Sequence, residues 1–345
     1  DVAALNNRPT GSFDYFIRKT EDMMGPGIEL PAALGTNVPP TNNTDMKTYG
    51  WELQIGWRDQ IGDFKYGAKL SLSDSQSKIL RYGNPTGSLS KYVEGELIGN
   101  IYGYTTIGIA KTDEEMQQHL ASLPNGGQSA LGSQWAAGDI MYADLNGDGK
   151  INNGSYTIND MGDMKKIGNS TPRFMTGINL DAAYKGWDLQ MFWQGVLKRD
   201  WWPGDKNMTF WGVTDGEWWS TSFKEHLDYF RTSENPLGEN LNSYYPRPIF
   251  NTKNNKSQTR YLQNAAYMRL KNIQVGYTFP KVWINKLMLQ NLRIFVSGEN
   301  LLTITSLSDT MDPETCGAGY QSTEQANGTV YPLAKTISFG LSVNF

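Results

Sequence analysis

The 345-residue sequence has one cysteine, Cys316, and two histidines, His119 and His226. A lone thiol forms no internal disulfide and has no metal-ligand companions. Two imidazoles leave little for a zinc site or for nucleophile–His–Asp catalysis. No apolar run approaches the roughly 18 residues of a transmembrane helix, and the first residues do not read as a secretory signal. There is no basic excess either: 31 Lys and Arg stand against 35 Asp and Glu, a net charge of −4. Nothing therefore points to nucleic acid. Aromatics, by contrast, make up 12% of the chain, with 11 Trp and 18 Tyr, alongside 36 Gly. With a mean hydropathy of −0.52, that combination is awkward for a soluble α/β enzyme. It suits a barrel, in which only alternate residues face lipid.

The end of the chain carries the matching alternation. Ile337, Phe339, Leu341, Val343 and Phe345 share one strand face, opposite Thr336, Ser338, Gly340, Ser342 and Asn344. A segment of about ten residues is right for a membrane strand, although a soluble antiparallel strand alternates in the same way. The pattern recurs. Strands are predicted at 11–17, 48–58, 66–73, 174–184, 187–196, 273–279, 292–296 and 336–345. Tight turns at 59–63, 185–186 and 280–291 alternate with long connections at 25–43, 81–170, 198–259 and 306–335. One helix is predicted inside the second of these, at 112–123, where Thr112 and Glu115 have capping-box spacing.

Short periplasmic turns alternating with long extracellular loops are the rhythm of a membrane barrel. Compact soluble domains rarely hold structureless loops beyond about 15 residues. The expectation is an all-β fold, an antiparallel transmembrane β-barrel segment of roughly eight strands, with long loops outside and the C-terminus periplasmic. Trp51, Leu53, Ile55, Leu189, Met191, Ile273, Val275, Ile294, Phe339, Leu341 and Val343 are expected to face lipid. Trp51, Trp57, Tyr184, Trp187, Tyr277 and Phe279, at strand ends, are expected to form interfacial girdles. A C-terminal aromatic on this face, Phe345, reads as an assembly signal, or else as one more girdle residue.

One compact motif carries chemistry. Asp144, Asn146 and Asp148 with Gly149 and Ile151 reproduce the first half of a calcium-binding loop, with the Lys150 carbonyl as a further ligand. Position 12 is Ser155 where an EF-hand has Glu, so Asp160 or Asp163 would have to supply the missing carboxylate. The alternative is an Asx-rich turn without a metal, built from the commonest turn formers.

The residues that follow bring a resemblance. Gly162-Asp163-Met164-Lys165-Lys166-Ile167-Gly168-Asn169-Ser170-Thr171-Pro172-Arg173-Phe174 resembles a signature of the SusC/RagA family, TonB-dependent nutrient transporters of Bacteroidetes outer membranes. Ile98-Gly99-Asn100, Tyr184-Lys185-Gly186-Trp187-Asp188, Arg199-Asp200-Trp201-Trp202 and Ser297-Gly298-Glu299-Asn300-Leu301 are similar to the same family, and the likeness covers nearly the whole chain. It implies a 22-stranded barrel closed by a plug. It also implies import of oligosaccharides or peptides, drive from the TonB complex and a SusD-like lipoprotein lid. Signal sequence, TonB box and plug are not found in residues 1–345, so the whole is expected to be the C-terminal barrel part of a longer transporter.

The connection 198–259 holds Trp201, Trp202, Trp211, Trp218 and Trp219. Such aromatics stack on sugar rings and also form protein–protein hot spots; lid contact and loop packing are favoured over direct substrate contact. The rival class is a secreted, calcium-stabilised carbohydrate-binding sandwich or a glycosidase using carboxylates such as Glu217 and Glu225. The leading expectation is a transporter without catalytic residues or an organic cofactor.

Overall fold

The computed structural model describes residues 1–27, 35, 38–285, 288–316 and 333–345. Eight long strands make one antiparallel sheet in chain order. They are β1 (Pro9–Gly25), β2 (Thr41–Ile61), β3 (Phe64–Arg81), β4 (Arg173–Tyr184), β5 (Trp187–Lys198), β6 (Tyr267–Thr278), β7 (Asn291–Thr305) and β8 (Thr336–Asn344). A two-residue strand, Val2–Ala3, lies on the outer edge of β1. The shortest of the eight, β8, has 9 residues, enough for a tilted strand to cross a bilayer. The other sheets among the described residues are two-stranded ribbons, too small to be the second layer of the alternative sandwich.

Connections sort by length to the two ends of the sheet. Ile61 pairs with Phe64 and Tyr184 with Trp187, so Gly62-Asp63 and Lys185-Gly186 are two-residue hairpins. Lys185 and Gly186 both take positive φ, 46° and 92°, the pattern of a type I′ turn that matches strand twist. The first hairpin is tighter than the expected turn at 59–63, because β2 continues through Asp59, Gln60 and Ile61. The β6–β7 connection and the end of β8 lie at this same end, joined by a hydrogen bond from Gln290 N to the Asn344 carbonyl at 2.8 Å. Residues 286–287 of the expected 280–291 turn lie outside the described residues. So do most of 28–37 and all of 317–332, which belong to the first and last long connections.

β1, β2 and β3 outrun their predicted lengths, reaching 17, 21 and 18 residues. β1 and β2 stay paired as far as Gly25 and Thr41, and the extensions lack regular alternation, with Met23 next to Met24 on β1 and Ile79 next to Leu80 on β3. Alternation marks only the part of a strand that separates two environments, so the signal ended at Ile17 although the strand did not.

Register assembles the outer face. Trp57, Ala68, Leu180, Met191 and Ile273 lie in one row across β2 to β6. Tyr66, Ala182, Leu189, Val275, Val296 and Phe339 make the next row, and Tyr184, Trp187, Tyr277, Ile294 and Leu341 the third. The residues expected to face lipid all fall on this face. They are not packed away: Phe339 is 82% exposed and Leu341 66%. At the short-turn end the aromatics touch in a chain, Tyr66–Phe64 at 5.6 Å, Phe64–Tyr184 at 6.5 Å, Trp187–Tyr277 at 4.9 Å and Tyr277–Phe279 at 5.1 Å.

The opposite face is polar, and long side chains lie flat across it over glycines. Arg293 on β7 reaches across Gly276 on β6 to chelate Asp188 on β5 at 2.6 and 2.8 Å. Phe295 lies over Gly340 of β8, where a Cβ would come 2.0 Å from the ring.

The hydrophobic core is elsewhere. Tyr104, Met116, Ile140, Tyr142, Ile151, Trp201, Phe210, Trp211, Tyr245, Tyr261 and Met311 belong to one buried cluster, all from the long connections. In place of structureless loops, these connections fold into a layer with short ribbons, Asn100–Tyr104 against Met164–Asn169 and Thr106–Ile109 against Ile140–Tyr142. The expected helix is there as α1 (Asp113–Ala121). Thr112 Oγ1 accepts from Glu115 N at 3.2 Å, and the Glu115 carboxylate accepts from Lys111 N at 2.6 Å.

Candidate functional site

The signature residues are struts between the sheet and this layer. Ile98-Gly99-Asn100 and Ile167-Gly168-Asn169 face each other, with Asn100 paired to Asn169. Asn169 Nδ2 donates to the Ile98 carbonyl and to Asn100 Oδ1, both at 3.0 Å. Asn169 N donates to Asp200 at 2.8 Å. The buried Arg199 donates to the carbonyls of Ser170 and Pro313. Arg173 forms an ion pair with Asp74 on β3. Segments far apart in sequence are thus clasped at the rim of the sheet, which explains this spacing of Gly, Asn, Arg and Asp without any ligand.

The Asp144 loop is built of interlocked Asx turns. Asp144 accepts from Gly147 N at 2.6 Å and Gly149 N at 2.9 Å, Asn146 from Asp148 N at 2.9 Å, and Asp148 from Lys150 N at 3.1 Å. Asp163 is fully buried and accepts from Leu145 N at 2.9 Å and Asn152 N at 2.8 Å. Asp160 is turned onto Ser155 at 2.7 and 2.8 Å. Burial, with Asp144 alongside, pushes the Asp163 carboxyl above the ordinary carboxylate value. Burial also acts on Asp144, but the Gly149 and Gly147 amides outweigh it and hold that carboxyl low. Among the described residues no group of three or more His, Cys, Asp or Glu side chains is gathered to hold a metal ion. The oxygens of Asp144, Asn146, Asp148, Asp160 and Asp163 accept hydrogen bonds from the loop's own N–H and hydroxyl groups.

A buried ionic hub that sequence spacing did not reveal joins the two longest connections. Asp139 has no exposed surface. It accepts from Arg247 at 2.7 and 2.9 Å, from Asn254 at 2.9 Å and from Ala136 N at 2.9 Å, and pairs with Lys253 at 2.8 Å. Lys253 also donates to the Ser133 and Gln134 carbonyls at 2.9 Å and lies over the Trp135 ring at 4.5 Å. Burial opposes ionisation of Asp139, but Arg247, Asn254 and Lys253 outweigh it and hold the carboxyl below its ordinary value. No motif could have revealed this, since the partners lie more than a hundred residues apart in sequence.

The five tryptophans divide. Trp201 and Trp211 are buried in the layer's core, and Trp202 packs on Trp211 at 6.1 Å. Trp218 and Trp219 are 80% and 57% exposed and contact each other edge to face at 5.3 Å. Glu217, beside them, is held by Lys206 at 2.5 Å. Glu225 lies in a separate helical turn, Lys224–Leu227. A groove of about 1130 Å³ runs along the sheet, lined by polar-face residues Ser12, Gln54, Arg58, Lys69, Asn179 and Asp181 among others.

An antiparallel sheet with an exposed apolar face, and with the large core among the described residues in a cap at one end, is built as the wall of a transmembrane β-barrel is. Its relatives are TonB-dependent receptors. The chain is 29% identical over 367 residues to TonB-dependent receptor P3 of Formosa agariphila, covering 100% of this chain and 33% of that protein. It is 23% identical over 353 residues to TonB-dependent receptor SusC of Bacteroides thetaiotaomicron, covering 100% of this chain and 31% of that protein. Among solved structures it is similar to the RagAB peptide transporter, with a TM-score of 0.67 and 20% identity over 99% of this chain and 34% of that one. The RagAB peptide importer in the open-open state gives a TM-score of 0.64 at 19% identity. No family model matches. The resemblance to SusC/RagA proteins drawn from the motifs therefore holds along the whole chain, which spans about a third of the length of these relatives.

Proposed function

We propose that residues 1–345 form part of the membrane wall and the outer cap of a TonB-dependent importer for oligosaccharides or peptides. The single observation that supports this most is the separation of apolar surfaces. The sheet exposes its apolar face as lipid contact requires, while the core lies in the connections at one end. In this reading the capped end is extracellular, and the short turns and C-terminus are periplasmic. Closure, which removes unsatisfied strand edges, needs further strands beyond β1 and β8.

Trp218 and Trp219 are the docking point for a SusD-like lipoprotein lid, because exposed, paired tryptophans are the anchors such interfaces use. Trp201, Trp202 and Trp211 hold the cap together instead. The polar groove is the inner wall past which a nutrient travels once the TonB complex opens the path. The Asp144 loop enters as a self-satisfied turn rather than as a calcium site. A strain lacking the whole transporter should lose growth on one class of polymer, glycan or peptide, and regain it on complementation. Undiminished growth on both classes would overturn the import reading.

A further inference from the structure

The three connections at the short-turn end differ in chemistry. Two are minimal, with only Gly62-Asp63 and Lys185-Gly186 at their tips. The third, between β6 and β7, forms a helical turn at Lys281–Ile284. Its backbone is closed by hydrogen bonds from Trp283 N to the Pro280 carbonyl at 2.9 Å and from Leu289 N to the Ile284 carbonyl at 3.3 Å. Ile284 is 2% exposed, yet Val282 is 76%, Trp283 60% and Met288 89% exposed. A connection that only had to turn in water would not display three large apolar side chains.

Trp283 identifies the surface to which they belong. Its ring lies 6.3 Å from Phe279, which continues through Tyr277 to Trp187 along the outer face of the sheet. The turn thus prolongs the aromatic girdle past the ends of the strands, on the lipid side and not over the polar groove. A helical turn satisfies part of its own backbone, and a Trp with aliphatic neighbours suits the boundary between headgroups and acyl chains.

We propose that the β6–β7 connection is an interfacial foot: Val282, Trp283 and Met288 insert into the headgroup–acyl boundary of the leaflet at the short-turn end and fix how deep the wall sits. This rests on the membrane reading above. The occupant is lipid, because the surface is continuous with the girdle and shares its composition.

The test uses the full-length transporter with Cys316→Ala, reconstituted in phosphatidylethanolamine–phosphatidylglycerol vesicles. Single nitroxide labels are placed through Asp63→Cys, Trp283→Cys, Met288→Cys and Phe339→Cys. Collision with oxygen, which enters lipid, is compared with collision with a water-soluble nickel chelate. The ratio should be low at 63, distinctly higher at 283 and 288, and highest at 339. Labels at 283 and 288 that behave like 63 overturn the foot. So does shielding of both from either relaxant, which would mean a protein partner. A label at 339 dominated by the nickel chelate would instead bring down the membrane reading itself.

Discussion

Removing the Asp139 carboxylate should uncouple the two longest connections. In Asp139→Ala, Arg247 can turn to water, since its side chain is 30% exposed. Lys253 cannot, because its side chain is 2% exposed. It would keep a buried charge facing only the carbonyls of Ser133 and Gln134 and the Trp135 ring. Breaking a buried pair from one side typically costs about 3–5 kcal/mol, because the other charge is left uncompensated. At roughly tenfold per 1.4 kcal/mol, local opening should become on the order of 100- to 5,000-fold more frequent. Hydrogen exchange reads this directly. Reporter amides lie on both sides of the hub: Gly138 donates to Ala110 at 2.7 Å, Ile140 to Asn254 at 2.9 Å and Arg247 to Gly138 at 2.9 Å. Adding Lys253→Met to Asp139→Ala should recover much of the protection, because the orphaned charge is then gone. Acceleration confined to 136–140, with 247–255 unchanged, would refute the coupling. So would a double variant as open as the single one. The pH dependence has a definite sign. The folded pKa of Asp139 is depressed, so its stabilisation is complete above the ordinary carboxylate value near 4 and is lost as pH falls through the lower folded value. The same amides should lose protection in acid.

Other expectations follow from the same contacts. Gly340→Leu should lower the yield of assembled protein, because its Cβ meets the Phe295 ring at 2.0 Å, and overpacking of this kind costs about 1–3 kcal/mol; Phe295→Ala in the same chain should restore assembly. Phe345→Ala should reduce abundance in the outer membrane while leaving uptake per assembled transporter nearly unchanged, and normal abundance with impaired uptake would sink the assembly role. Trp218→Ser with Trp219→Ser should weaken co-purification of a lid lipoprotein by at least tenfold if the pair is a hot spot of about 2 kcal/mol, whereas Trp211→Ser should instead loosen the cap against protease. A chelator should leave the melting temperature unchanged, as the Asx turns of the Asp144 loop require no metal; a drop on chelation, reversed by calcium, would return that loop to cation binding.

The wall was legible in the sequence because a strand between two environments must alternate. Trp51, Leu53 and Ile55, or Phe339, Leu341 and Val343, declare their face by period alone. What lay outside the apolar band was harder. The β1 extension from Arg18 to Gly25 is polar as far as Asp22 and ends in two adjacent methionines, Met23 and Met24, so it gives no period and only its partner strand reveals it. The Lys281–Ile284 turn is too short for a helical period to show. The cap's architecture depends on pairings such as Asn100 with Asn169 and Asp139 with Lys253, which join separate connections and leave no local trace. The five tryptophans carried composition but not placement: the same residue type serves as core at Trp211 and as surface at Trp218. α1 was readable because Thr112 and Glu115 satisfy the first turn locally.

The cap's core also sets an order of construction. Tyr142, Tyr261 and Met311 meet in one cluster although they come from three different connections, so the cluster is incomplete until the strands between them have been laid side by side. Closing loops of that span costs entropy before any contact repays it. Strand pairing supplies the closure in advance, leaving the cap to condense last. In the membrane reading proposed above, its aromatic segments would stay unfolded and exposed until then, and the cap, rather than the wall, would be the part of the chain most in need of protection from aggregation.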